Sequence, residues 1–253
     1  ERTEQSVILN LDCAETAALK NIHKNTLTFS CNADSGATLI ATDITPAEQG
    51  IDFKVNGIAA HLQVMGRHNV QNALAAAGAA MAAGVELKDA LSALSSFKGT
   101  KRRLEKIGTI NGVTVFDDYA HNPEKIAASL QTLHQDDHTL WAIFQPHGFT
   151  PTKLMKNDLI KAFIEKSGVN DVLLFPEIFY QGGTVSKDIS SKDLVDALIK
   201  AGKKAFFFEN RPDIADFIAS KAQNGDRVVV MGARDNSLTA LAKDILNKIG
   251  EKQ

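Results

Sequence analysis

Phe116-Asp117-Asp118-Tyr119-Ala120-His121-Asn122-Pro123 places two carboxylates and an imidazole where a strand gives way to a helix. Upstream, residues 105–110 and 113–117 have the apolar pattern of two short strands. The dipeptide between them, Asn111-Gly112, favours a two-residue type I′ turn, so the pattern predicts a β-hairpin.

The residues downstream of the hairpin predict a helix start. Asn122 suits the capping position and Pro123 the first helical position, so both are explained without a ligand. Asp118, Tyr119 and His121 are not explained by capping. We expect the hairpin to direct Asp118 and His121 outward at a sheet end, where open α/β proteins bind ligands.

From about residue 101 onward, short apolar runs alternate with helical patterns, which is typical of βαβ units and a mostly parallel sheet. The runs are apolar throughout, as expected of strands covered on both faces. After the hairpin we predict helices at 123–133, 153–165, 192–200, 212–222 and 237–249, and strands at 140–144, 171–175, 204–208 and 226–231. These elements predict an α/β, doubly wound domain over residues 100–253.

Residues 1–99 form a different pattern, with few helices to cover a sheet. Strand-like pieces at 6–11, 27–30, 38–42 and 51–55 precede two helical patterns at 69–83 and 87–95. This half opens abruptly on a strand, and we interpret it as the end of an α/β domain whose beginning is absent. The sequence thus predicts two domains, 1–99 and 100–253.

Composition excludes some classes of protein. A net charge of −2, from 28 basic and 30 acidic residues, predicts no nucleic-acid partner. The longest apolar run is too short to span a bilayer, and the polar residues 1–5 lack the features of a secretory signal. Cys13 and Cys31 lie far apart in sequence and form no CxxC pair, so we predict reduced thiols, no zinc site and a cytoplasmic protein.

Three further segments carry polar groups at informative positions. In Gly66-Arg67-His68-Asn69-Val70-Gln71-Asn72-Ala73, the two asparagines share one helix face and could bind an adenine edge, or Asn69 could simply cap the helix. Gly99-Thr100-Lys101-Arg102-Arg103-Leu104-Glu105 is either a phosphate-binding cluster at a domain junction or a solvated patch. Phe144-Gln145-Pro146-His147-Gly148-Phe149-Thr150-Pro151 predicts a stiff loop that holds His147 beside the strand end of Asp118 and His121.

We assign no catalytic or binding role to the long loop 176–184. Gly232-Ala233-Arg234-Asp235 is either a tight turn or a backbone approach to a ligand. The sequence contains no G-x-x-x-x-G-K-[ST] phosphate loop.

Taken together, GRHNVQNALAA (66–76), GTKRRLE (99–105), FDDYAHNP (116–123) and FQPHGFTPT (144–152) resemble the Mur ligases of peptidoglycan synthesis. The match is nearest to the branch that contains the UDP-N-acetylmuramate:L-alanine and murein tripeptide ligases. The resemblance implies the latter part of a central ATPase domain followed by a Rossmann-like C-terminal domain. The family's UDP-binding domain and the phosphate-loop half of its ATPase domain have no counterpart in this sequence.

The resemblance implies ATP-dependent amide-bond formation through an acyl phosphate, with Mg²⁺ bound mostly by upstream residues. It implies a UDP-N-acetylmuramate-type nucleotide sugar and an amino acid or peptide as partners. The implied ATP-binding residues are His68, Asn69, Asn72, Arg103 and Asp118. The implied substrate-binding residues are His121, Asn122 and His147.

Two positions depart from the alanine-adding pattern. Gly148 and Pro151 stand where those ligases usually carry arginines, so the amino acid remains open. A non-catalytic nucleotide or peptidoglycan-peptide binding module, and a ligase related to folylpolyglutamate synthase, are the alternatives. The chain alone is expected to be inactive, because the phosphate loop would lie upstream.

Overall fold

The computed structural model describes residues 5–47 and 50–251. Most of the polar segment 1–5 therefore lies outside the described residues. The chain divides into two compact units, Glu1–Gly99 and Thr100–Gln253. Among the described residues, no helix has the length and apolar character needed to cross a membrane.

The first unit contains a five-stranded mixed sheet covered by helices. Strands β1 to β3 are parallel, whereas β3, β4 and β5 are antiparallel neighbours, and the strand order is β1-β2-β3-β4-β5. The strands are β1 (Val7–Asn10), β2 (Thr26–Ser30), β3 (Leu39–Pro46), β4 (Ile51–Val55) and β5 (Ile58–Leu62), and the helices are α1 (Ala14–Ala17), α2 (Arg67–Ala82) and α3 (Leu87–Leu94).

Helix α2 packs closely on this sheet because its inward face is small and apolar. Val70, Leu74 and Ala77 are fully buried. A Cβ atom added at Gly78 would lie 3.1 Å from Cγ2 of Ile8 on β1, so glycine permits this close approach. The sequence prediction missed β5, and it missed α1 because four residues are too few to show a helical period.

The second unit is a doubly wound α/β domain with a six-stranded sheet of order β10-β9-β8-β11-β7-β6. All neighbouring pairs are parallel except the edge pair β6–β7. The strands are β6 (Glu105–Ile110), β7 (Val113–Asp118), β8 (Leu140–Gln145), β9 (Val172–Pro176), β10 (Lys204–Phe208) and β11 (Arg227–Gly232). The predicted α/β class with a mostly parallel sheet is confirmed.

Helices cover both faces of this sheet, which explains its continuous apolar strands. Val228 and Val230 on β11 pack with α7 and α8, and the alternating residues Val229 and Met231 are equally buried on the other face. The helices are α4 (Pro123–Leu133), α5 (Phe149–Lys166), α6 (Ser191–Lys200), α7 (Arg211–Lys221) and α8 (Ser237–Glu251).

The hairpin that was predicted from sequence is present. β6 and β7 are antiparallel, and Asn111 and Gly112 between them have φ values of 51° and 74°. Both values are positive, as a type I′ turn requires. The turn residues therefore determine this part of the fold locally.

The sequence was interpreted as placing His121 and His147 at neighbouring strand ends and 144–151 in a loop, and both predictions are wrong. Strand β11 lies between β7 and β8, so the exits of β7 and β8 are not direct neighbours in the sheet. Helix α5 begins at Phe149, so Pro151 lies in its first turn rather than in a loop. The connection from β8 is therefore only Pro146-His147-Gly148, and Gly148 makes the turn with φ of 72°.

Candidate active site

Polar side chains meet at the carboxyl ends of three adjacent strands in the second unit. Tyr119 and His121 follow β7, Arg234 follows β11, and His147 follows β8. The rings of His121 and His147 lie edge to face, with centroids 5.7 Å apart, and the rings of Tyr119 and His121 are 5.5 Å apart. The predicted approach of the two histidines is thus confirmed, although a strand separates their own strands.

A backbone carbonyl orients the imidazole of His121. Its Nδ1 lies 2.8 Å from the carbonyl oxygen of Tyr119. Because a carbonyl can only accept, Nδ1 must carry the hydrogen. In neutral His121, Nε2 is then the acceptor and is available for a substrate proton.

His147 favours its neutral form. Burial lowers the pKa of His147 below its ordinary value, and the charges of His121 and Arg234 lower it further. The imidazole therefore offers a lone pair at neutral pH, which suits a group that accepts a proton or a hydrogen bond.

Replacing His121 with glutamine should raise the pKa of His147, because one of the charges that disfavours the imidazolium is removed. Histidine side-chain NMR across a pH titration measures this value. Because the pKa of His147 is lowered in the folded chain, the unfolded chain binds this proton first as the pH falls. The free energy of unfolding should therefore decline as the pH drops below about 6.5. An unchanged pKa of His147 in H121Q would contradict the electrostatic coupling.

Asp118 does not point outward, and that prediction is wrong. Only 5% of the residue is exposed. Its Oδ2 accepts a hydrogen bond from Oγ of Ser129 on α4, and its Oδ1 lies 3.4 Å from the backbone nitrogen of Leu104. Burial raises the pKa of Asp118, and these bonds and the charge of Arg103 oppose that effect only in part. Asp118 therefore ties β7 to α4 and to the segment that carries Arg103.

The two arginines of the 99–105 segment differ in their surroundings. Arg102 is mostly buried: its Nε lies 3.4 Å from Oδ1 of Asp117, and one of its terminal nitrogens donates to the carbonyl of Gly232. Arg103 is exposed, and its guanidinium lies 5.6 Å from the ring centroid of Tyr119. Arg103 is thus the arginine of this pair that presents its charge to solvent.

Asn122 has the capping role that the sequence predicted. Its Oδ1 accepts from the backbone nitrogen of Lys125 at 2.9 Å, and Pro123 occupies the first turn of α4. Asn122 lies one position beyond His121, so this cap also positions the start of the helix relative to the His121 imidazole.

In the first unit, His68, Asn69 and Asn72 lie in the first two turns of α2. Asn69 does not cap the helix, because Gly66 occupies that position. Instead, Nδ2 of Asn69 donates to the carbonyl of Met65 at 2.7 Å, and its Oδ1 accepts from Asn72 at 3.2 Å. The asparagines share a face, as predicted. These bonds use one amide hydrogen of each side chain, which leaves a second donor on each for a ligand.

A cavity of about 510 Å³ in the first unit was not predicted from sequence. It is lined by Leu11, Asp12, Ala17, Lys20, Asn32 and Ser35. Burial alone would raise the pKa of Asp12, but bonds from Ser30, Cys31 and Gln71 outweigh it and lower the pKa. Asp12 lies two residues beyond β1 at the carboxyl end of a parallel pair, which was the sequence signal for it.

The described residues do not supply a magnesium site. Among residues 5–47 and 50–251, no three His, Cys, Asp or Glu side chains come together in a way that could hold a metal ion. Asp118 already accepts hydrogen bonds on both carboxylate oxygens. We therefore assign magnesium no ligand among these described residues.

Comparison with known proteins agrees with the order of these segments. Residues 102–234 match the Mur ligase glutamate ligase domain, and residues 1–80 match the Mur ligase middle domain. The chain is 38% identical over 202 residues to a UDP-N-acetylmuramate--L-alanine ligase from Lachnospira eligens, covering 77% of this chain and 43% of that protein.

Two solved structures are similar in fold. A murein peptide ligase from Psychrobacter arcticus is 25% identical with a TM-score of 0.61, covering 97% of this chain and 51% of that one. A UDP-N-acetylmuramate-alanine ligase from Thermotoga maritima is 23% identical with a TM-score of 0.68, covering 94% and 55%. The chain belongs to the Mur ligase family. It spans roughly half the length of these relatives.

Proposed function

We propose that this chain is part of an ATP-dependent ligase that forms an amide bond in peptidoglycan precursor synthesis or recycling. The observation that carries the proposal is the group of His121, His147 and Arg234 at the strand exits, in a chain that Mur ligase domains match. Residues 1–99 would be the latter part of the central ATP-binding domain, and residues 100–253 the C-terminal domain. A cytoplasmic location stays a prediction.

The proposed chemistry has two steps. A substrate carboxylate oxygen attacks the γ-phosphorus of ATP, which releases ADP and leaves an acyl phosphate. The incoming amine then attacks the acyl carbon, and the tetrahedral intermediate collapses to an amide and inorganic phosphate. The amine must lose a proton on this path, and a neutral imidazole at His121 or His147 is suited to accept it.

We assign the nucleotide to side chains that keep hydrogen-bonding capacity. His68, Asn69 and Asn72 are proposed to contact adenine, because each asparagine keeps a second amide hydrogen and adenine offers both donors and acceptors. Arg103 is proposed to bind the phosphates, because its charge is exposed. Asp118 would act on the nucleotide indirectly, through its bond to the backbone of Leu104 beside Arg103.

We assign the amino acid or peptide to His121, Asn122 and His147. Their place at the carboxyl ends of parallel strands supports this role, since open α/β sheets bind ligands there. The other substrate would be a UDP-N-acetylmuramate-type nucleotide sugar. Gly148 and Pro151 provide no charge, so the identity of the added amino acid stays open.

An isotope experiment tests the acyl phosphate. The protein with the upstream region of its relatives is incubated with ATP, an amino acid, and UDP-N-acetylmuramate labelled with ¹⁸O in its carboxylate. We expect ¹⁸O in the released phosphate, because the attacking carboxylate oxygen leaves with the phosphoryl group.

Other outcomes would favour the alternatives. Nucleotide binding without any ATP-dependent product would favour the binding-module alternative. Product with folate instead of the nucleotide sugar would favour a ligase related to folylpolyglutamate synthase. The 253-residue chain alone should give no product, because its sequence has no phosphate loop.

Replacing Asn72 with alanine should weaken ADP binding about fivefold, because one hydrogen bond to the adenine edge is worth about 1 kcal/mol. Isothermal titration calorimetry with the longer protein measures the affinity. Asn170, an exposed asparagine of the second unit with no proposed role, supplies the control variant N170A. Equal affinities for N72A and the unmodified protein would remove Asn72 from the adenine site.

A further inference from the structure

Arg234 adopts a backbone conformation that arginine rarely takes. Its φ is 63°, in the left-handed region, directly after the last residues of β11. Such a conformation is unfavourable for a residue with a Cβ atom and persists where the surroundings hold it. Here the backbone nitrogen of Arg234 donates to the hydroxyl of Tyr119 at 3.2 Å, and its carbonyl accepts from Nε2 of Gln181 at 3.5 Å. The fold therefore fixes an exposed cation at the middle one of the three strand exits.

The position of β11 places this cation at the strand exit between the two exits that carry the histidines. His121 follows the strand on one side of β11, and His147 follows the strand on the other. The charge of Arg234 also contributes to the lowered pKa of His147. One permanent cation and two imidazoles at one sheet edge form a site with affinity for an anion.

Neighbouring arginines are occupied by acidic partners. Arg102 pairs with the buried carboxylate of Asp117. Arg211 pairs with Asp235 and donates to Oγ of Ser237 at 2.6 Å. Arg234 itself is exposed, so its planar donor fork is presented to solvent at the exit of β11.

We propose that Arg234 binds the carboxylate of the incoming amino acid or peptide and thereby positions its amine. The inference rests on the proposed function. A planar guanidinium matches a carboxylate with two parallel hydrogen bonds, which also fixes the orientation of the bound group. The amine of an α-amino acid lies one carbon from its carboxylate, so this contact would bring the nucleophile beside His121 and His147.

The loop after β9 holds both sides of this subsite. The backbone nitrogen of Phe179 donates to the carbonyl of Pro146 at 2.8 Å, and the nitrogen of Gly148 donates to the carbonyl of Phe179 at 2.9 Å. These two bonds form a parallel β-bridge between Phe179 and His147, which holds the backbone of His147 in place. Two residues further on, Gln181 contacts the carbonyl of Arg234. The long loop, to which the sequence assigned no chemistry, thus positions both His147 and Arg234.

The first test uses the 253-residue chain and acetate as the carboxylate probe. The pKa of His147 is followed by histidine side-chain NMR in about 100 mM acetate and in chloride of equal ionic strength, so that screening is matched. We expect acetate to raise the pKa of His147 by about half a pH unit over chloride, because a bound anion favours the imidazolium. The variant R234Q should show no such rise, and R234K should show part of it.

The controls separate this site from general charge effects. K243Q removes an exposed cation on α8 and should respond to acetate like the unmodified chain. An equal response to acetate in R234Q, or no response in the unmodified chain, would overturn the inference. Binding of inorganic phosphate at tenfold lower concentration than acetate would assign the subsite to a phosphate group and would also overturn the carboxylate assignment.

The second test uses the longer protein. In R234Q the KM for the amino acid should rise by about tenfold or more while the KM for ATP stays the same, because only the carboxylate contact is lost. If R234Q keeps the unmodified KM, the inference fails while the proposed function stands. If the unmodified protein forms no ATP-dependent product with any amino acid, the proposed function fails, and the acetate titration still decides whether the anion site exists.

Discussion

The variant D117A is expected to lose about 3–5 kcal/mol of the free energy of unfolding of the second unit, because it leaves a mostly buried guanidinium without its counter-charge. Asp117 is fully buried, and its Oδ1 lies 3.4 Å from Nε of Arg102. Its Oδ2 accepts from Oγ1 of Thr239 at 2.5 Å. Trp141 is the single tryptophan of the chain and lies on β8, so its fluorescence during urea unfolding reports on this unit.

Two comparisons make this prediction specific. The double variant D117L/R102M removes both charges and should be less destabilised than D117A, since no buried charge is left unpaired. D136A removes a carboxylate whose side chain is 99% exposed and should change stability by no more than about 0.5 kcal/mol. A loss in D117A no larger than that in D136A would show that the buried pair does not stabilise the domain.

The variant R103A is expected to lower ATP-dependent amide formation by the longer protein by about 10²–10³, because a positioned cation on a transferring phosphoryl group stabilises the transition state by that factor. Its stability should hardly change, since Arg103 is exposed. The rate of phosphate release at saturating substrates measures the effect. R103K should recover part of the rate, because lysine keeps the charge but lacks the planar donor fork.

Lys101 provides a matched control for Arg103. It is exposed, carries the same charge and lies two residues away. If R103A acts through a phosphate contact, K101A should keep the unmodified rate. Similar losses in K101A and R103A would instead indicate a general effect of surface charge on nucleotide approach, and the assignment of Arg103 to the phosphates would fail.

Much of the second unit could be predicted from sequence because its signals are local. Positive φ values at Asn111 and Gly112 follow from the turn type that this dipeptide favours. Asn122 caps α4, and Ser190 forms a capping box with Asp193, because both motifs involve residues within one turn. The order of strands is not local. Nothing in the apolar run at 227–232 specifies that it inserts between β7 and β8.

The two aspartates at the end of β7 also show that sequence alone does not reveal which side chains the tertiary structure buries. Side chains alternate along a strand, so Asp117 faces Thr239 on α8 and Asp118 faces Ser129 on α4. Helices on both faces of the sheet bury both carboxylates. Sequence reasoning expected Asp118 outward because it lacked the two helices that cover it. It left the segment 232–235 open between a tight turn and a backbone approach to a ligand, because the importance of Arg234 depends on β11 lying between the histidine-bearing strands.

By itself, the sequence Phe116 to Pro123 determined the hairpin exit, the helix cap and the presence of His121 at the end of a parallel strand. These depend on backbone preferences and hydrogen bonds between near neighbours. The tertiary structure decided which polar groups are available to a ligand. It buried Asp117 and Asp118 beneath two helices and, through the order of the strands, placed Arg234 at the exit between those of His121 and His147. The bond between Asp117 and Thr239 joins residues 122 positions apart, and burial from both faces of the sheet selects such contacts.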